Sequence, residues 1–141
     1  MGRQPAIFVQ IAKYNLIQML IKRLHERKLI TALDDTQVRE ILNPEHDLPK
    51  LVLRYSLAHA SLEPGTASLP HKFHEASEVY YILEGQGIMH IDDETTEVYP
   101  GDTIYIPPHA VQWIECTGNK ELKFLCIVDP AWKPNAEELV E

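Results

Sequence analysis

Apolar and polar positions follow two different rhythms along this chain. From Ile11 to Leu29, the residues Ile11, Tyr14, Ile17, Leu20, Ile21 and Leu24 recur every three or four positions, the spacing of one face of an α-helix. Lys13, Asn15, Gln18, Lys22 and Arg23 fall mostly on the other side, and neither Pro nor Gly interrupts the run. The pattern predicts an amphipathic helix over 11–29, with an apolar stripe that must bury against the rest of the chain or a second subunit. Asp34, Asp35 and Thr36 then predict a turn.

Beyond Val38 the rhythm shortens to two. Leu51, Leu53, Tyr55 and Leu57 alternate with Val52, Arg54, Ser56 and Ala58, as in a strand with one face buried. Ser61 to Pro70, with Pro64, Gly65 and Pro70, predicts a turn-rich connection. Short β-branched and aromatic runs follow at 79–83, 88–91, 95–99, 103–106, 111–115 and 122–128. Turn residues separate them, among them Asp92-Asp93-Glu94 and Thr117-Gly118-Asn119-Lys120. Short strands with a turn about every ten residues predict a sandwich or barrel. The tail from Asp129 to Glu141 carries two prolines and several glutamates and predicts an irregular arm or short helix.

Composition narrows the function classes. The chain has 141 residues, 45% of them apolar, which suits one domain with one core. A net charge of −8 speaks against a nucleic-acid surface, which needs clustered Lys and Arg. No run reaches the roughly 18 apolar residues of a membrane span, so no membrane partner is expected. The apolar run Ala6–Val9 is too short for a signal peptide core. The two cysteines, Cys116 and Cys126, form no C-x-x-C motif and predict free thiols. A cytoplasmic location is expected.

Two glycine-framed stretches carry the chemistry. The first runs from Gly65 through His71, His74 and Glu78 to Gly85. The second runs from Gly101 through Pro107, His109 and Gln112. Five residues separate Gly65 from His71, six separate Glu78 from Gly85, five separate Gly101 from Pro107, and fifteen separate the two stretches. These spacings resemble the two motifs of the cupin superfamily, G-x5-H-x-H-x(3–4)-E-x6-G and G-x5-P-x-G-x2-H-x3-N. The resemblance covers roughly residues 38–130 and is closest to small single-domain cupins. It implies an all-β fold, a double-stranded β-helix or jelly-roll barrel, to which the periodicity adds an N-terminal α-helix. The expected organisation is a helical extension over 1–35, a barrel over 36–130 and an arm over 131–141. Such barrels commonly pair, so a homodimer is expected.

The resemblance also implies a divalent metal, iron, manganese, zinc or nickel, held by three His and one carboxylate with open positions for substrate or dioxygen. His71 and Glu78 stand at their ligand positions. Phe73 stands where the second His belongs, and His74 follows one residue later. Gln112 replaces the last ligand His, and Cys116 replaces the motif's Asn. Strand alternation points His74 away from His71, unless a one-residue bulge after Phe73 turns it back. Gln112 reads either as a carbonyl-oxygen ligand or as a hydrogen-bonding group. His59 reads as an ordinary strand residue, His90 and His109 as rim or surface groups. Phe73, Tyr80, Tyr105 and Trp113 read as β-core packing before pocket wall.

Three functions remain open. The leading one is a metal-binding cupin that binds or acts on a small polar organic molecule, using His71 and Glu78 with Gln112 and His74. The second is a non-enzymatic cupin that binds or senses a sugar-like ligand on an altered metal site. The third is a metal-free isomerase or epimerase with Glu78 as its acid–base group.

Overall fold

The computed structural model describes residues 19–141. Strands β1 (Leu29–Thr31), β2 (Gln37–Leu42), β3 (Ser56–Leu62), β5 (Ser77–Glu84), β8 (Thr103–Ile106) and β10 (Leu122–Asp129) form a six-stranded sheet in the order β1-β2-β3-β10-β5-β8. Strands β4 (His71–Phe73), β6 (Gly87–Ile91), β7 (Glu94–Val98), β9 (Gln112–Cys116) and β11 (Glu137–Leu139) form a five-stranded sheet in the order β11-β4-β9-β6-β7. Neighbours pair antiparallel in both. Non-consecutive strands lie side by side, and the two sheets face each other, as in a double-stranded β-helix.

Alternation along each strand decides what lies between the sheets. On β5, Glu78, Tyr80 and Ile82 are buried while Tyr81 is exposed. Phe124 pairs with Ala60 on one side and Ile82 on the other, and this row is closed from the opposite sheet by Met89, Ile114 and Cys116. Ser56, Val128, Glu78 and Ile106 make the parallel row at one end. Polar residues replace apolar ones at that end, which makes it the place for a site. The turn between β5 and β6 needs Gly85, with φ of 78°. A Cβ there would collide with the Glu121 backbone.

Three expectations need correction. Residues 11–18 of the predicted helix lie outside the described residues. From residue 19 to residue 29 there is no α-helix, only a single 3-10 turn at Leu24–Glu26. Leu20, Ile21 and Leu24 are exposed, and Leu29 opens β1. Helical periodicity is a weak prior that tertiary pairing overrides. Here β1 is drawn into a hairpin with β2, closed by the predicted Asp34-Asp35-Thr36 turn. In that turn Asp35 adopts φ of 70° and Asp34 Oδ1 accepts the Thr36 N–H at 3.1 Å.

The strand predicted from Leu51 starts only at Ser56, because its partner β10 reaches no further than Val128 opposite Ser56. The tail is neither helical nor wholly irregular. It returns as β11, placing Glu137 opposite Phe73 and Leu139 opposite His71 on β4. No helix among the described residues is long and apolar enough to cross a membrane.

Candidate functional site

The polar end of the barrel opens into a cavity of about 240 Å³. His71, Phe73, Glu78, Tyr80, Phe124 and Cys126 line its floor. The β1–β2 hairpin contributes Asp34, and the C-terminal arm contributes Trp132 and Glu137. Three sequence segments that are distant along the chain thus meet at one point.

His71 is almost fully buried, at 2% exposure. Its Nδ1 lies 2.8 Å from the Leu69 carbonyl oxygen and 3.5 Å from Asp34 Oδ2. A carbonyl only accepts, so Nδ1 carries the proton in this bond. Nε2 faces Glu137 Oε2 at 3.9 Å. The other oxygen of Glu137 accepts the Trp132 indole N–H at 3.2 Å. His71 is held from both ends by groups that neither of its own neighbours in sequence supplies.

Glu78 is the anomalous group. Its Oε1 is buried and has no hydrogen-bond partner. Burial pushes its carboxyl well above the usual carboxylate range, and the Glu137 and Asp34 charges push it further. Gln112 and Tyr80, beside it, offset only part of that. Tyr80 donates its hydroxyl proton to Gln112 Oε1 at 3.1 Å, and Gln112 is 1% exposed. Burial, then Glu78, raises both the Tyr80 phenol and the Cys126 thiol well above their ordinary values. Burial raises Glu137 as well, partly offset by His71 and the Trp132 bond.

Of the four residues put forward as metal ligands, His71, Glu78 and Gln112 converge here. His71 and Gln112 sit directly opposite each other on β4 and β9. His74 does not join them. It is exposed, its Nε2 stands 3.7 Å from Glu138 Oε2, and Phe73 takes the inward position. His59 lies on β3, opposite Arg39 and Leu125 and away from the cavity. His90 stacks on Trp113 at 3.6 Å, with Nε2 2.6 Å from Glu115 Oε2. Phe73 and Tyr80 are pocket walls, Tyr105 and Trp113 are not. Asp34, Trp132, Cys126 and Glu137 complete the cavity without having been singled out. Asp34 had been read only as a turn residue, and nothing in the tail marked Glu137 as inward-facing.

The donor set does not fit a resident metal on the four motif positions. Phe73 has no donor atom, and Gln112, whose Oε1 also accepts the Tyr80 hydroxyl, offers only an amide oxygen where the motif has an imidazole. Among the described residues, no three His, Cys, Asp or Glu side chains stand where they could hold a metal ion.

The family model for the cupin domain matches residues 58–128, from β3 to β10, half of the chain. The chain is a cupin. It is 44% identical over 108 residues to an uncharacterized protein of Methanocaldococcus jannaschii, covering 77% of this chain and 84% of that one. It is 34% identical over 71 residues to a protein of Thermotoga maritima named an oxalate-binding protein, covering 50% of this cupin and 59% of the relative. Among solved structures, the polyketide cyclase RemF of Streptomyces resistomycificus superposes with a TM-score of 0.70 at 24% identity, over 87% of this cupin and 86% of the cyclase. That likeness concerns the fold alone. The β1–β2 hairpin and β11, and with them Asp34 and Glu137, lie outside the matched cupin segment.

Proposed function

We propose that this cupin binds a small organic molecule in its barrel cavity, with Glu78 and His71 as polar anchors and no metal on the motif positions. The single observation that carries this reading is the unpartnered, buried Glu78 Oε1 at the cavity wall. Leaving a buried polar atom unpaired costs about 1–3 kcal/mol, and such an atom in a folded protein asks for a reason. A ligand that completes its hydrogen bonding is that reason. A concave, mostly apolar pocket with a few convergent polar groups is the usual form of a small-molecule site. The relative named an oxalate-binding protein supports the small-ligand class.

Thermal-shift and calorimetric screening of metal-stripped protein against small organic acids, alcohols, amines and sugars tests the proposal. Binding is expected to survive chelation and to weaken in Glu78→Gln. A response that disappears with chelator and returns with iron, manganese, zinc or nickel would favour the metal-dependent reading instead, with His71, Glu78 and Gln112 as ligands.

One observation also favours proton transfer by the same carboxyl. The upward shift of Glu78 moves it toward the range where a carboxyl works as general acid or base near neutrality. Hydrogen–deuterium exchange into a bound ligand, followed by NMR and lost in Glu78→Gln, would identify an isomerase- or epimerase-type activity.

A further inference from the structure

We propose that the cavity selects a small organic monocation, an amine with an apolar body, and that Glu78 and the arm residue Glu137 together hold its ammonium head. This rests on the small-molecule reading above and names its ligand class.

Carboxyls dominate the ionisable groups facing the cavity. Asp34, Glu40, Glu78 and Glu137 bring four carboxyls, and among the described lining residues none is Lys or Arg. The aromatic and imidazole donors on the wall are engaged, while the Thr31, Thr36 and Ser56 hydroxyls can both donate and accept. The Tyr80 hydroxyl goes to Gln112, the Trp132 indole to Glu137, and the His71 Nδ1 proton to Leu69. In the neutral ring that leaves His71 Nε2 as a further acceptor. It faces Glu137 Oε2 at 3.9 Å, so a single nitrogen can stand at roughly 2.9 Å from both. The unpartnered Oε1 of Glu78, on a residue 6% exposed, waits for a donor as well. An ammonium group has three donors and no acceptor, the complement of this set.

The remaining wall fits the rest of such a molecule. Phe73, Tyr80, Phe124 and Trp132 offer aromatic surface, which attracts cations as well as apolar groups. A cavity of 240 Å³ is ample for a benzyl-sized body, since an apolar cavity of about 150 Å³ already holds benzene. An anion would instead enter beside four carboxyls, with His71 as the one described lining group able to carry a positive charge.

Calorimetry with benzylamine, benzyl alcohol and benzoate tests the class, because the three share a body and differ in head. Benzylamine is expected to bind at least tenfold more tightly than the alcohol, and benzoate not at all. Glu78→Gln and Glu137→Gln should each weaken the amine at least tenfold and leave the alcohol within twofold, with circular dichroism unchanged. Alcohol or benzoate binding as tightly as the amine would overturn the cation class and leave the small-molecule reading standing. Amine binding that both variants leave untouched would remove these carboxyls as its anchors and overturn the proposal. No binding of any of the three to the native protein would overturn both readings for ligands of this size.

Discussion

Replacing Glu78 by Gln should abolish its contribution to the pH dependence of stability. In the native protein, burial raises this carboxyl well above its ordinary value, Glu137 and Asp34 add to the effect, and Gln112 and Tyr80 oppose it. In the unfolded chain it titrates near ~4.3. The native state therefore keeps the proton over a window in which the unfolded state has lost it. Stability falls where the native state binds more protons, so Glu78 destabilises the ligand-free fold as pH rises from about 4.3 toward its raised native value. Below that window its contribution is neutral. The slope is about 1.4 kcal/mol per pH unit, tenfold in the folding equilibrium. Glu137, raised for the same reason, contributes a second and separable slope. Gln is close to isosteric with Glu and cannot ionise, so Glu78→Gln removes one slope and keeps the other. Urea unfolding of both proteins at pH 5 and 6 measures the difference, which should grow by about 1.4 kcal/mol in favour of the variant. A difference independent of pH, or one that shrinks as pH rises, would show that the Glu78 carboxyl is ionised and paired, and would remove the basis for treating its Oε1 as unpartnered.

Phe124→Ala empties the space between β3 and β5, where the ring lies 4.6 Å from that of Tyr80. It should cost about 3–5 kcal/mol in urea unfolding, and a loss below about 1 kcal/mol would contradict this packing. Gly87→Ala would drive a Cβ into the Glu115 carbonyl on the neighbouring strand, so thermal melts should show a loss of about 1–3 kcal/mol. His74→Ala should change stability by less than about 1 kcal/mol and leave ligand binding unchanged. A large fall in ligand affinity would return His74 to the site.

Legibility followed the range of the interaction that decided each element. Strands β5, β6, β8 and β10 could be read because their alternation and their turn glycines are local. Strands β1 and β11 could not, because three residues hold no period and each exists only through its partner, β2 or β4. The same distinction explains the helix. Leu20, Ile21 and Leu24 satisfy helical spacing, but the chain beyond them is committed to pairing with β2, a contact no window around residue 24 contains. At the site, His71, Glu78 and Gln112 were visible because fixed spacings from glycines mark them. Strand alternation points His74 outward unless a bulge follows Phe73, and the structure decides it by burying Phe73 and exposing His74.

Asp34 and Glu137 show why ligand class is harder to read than fold. Both lie outside the segment matched by the cupin family model, on additions that reach the cavity through a hairpin turn and a three-residue strand. Yet they decide its charge. Without them the cavity would hold two carboxyls, Glu40 and Glu78, beside one imidazole, His71. With them it holds four carboxyls around that imidazole. The barrel core thus fixes where a ligand sits, and the flanking segments fix what kind of ligand is admitted. A relative's ligand can be carried to this chain only if that relative also presents acids from both flanks. Shortening the chain before Glu137 would alter selectivity before it altered the barrel, since among the described residues β11 pairs only with β4 and contributes no residue to the main core.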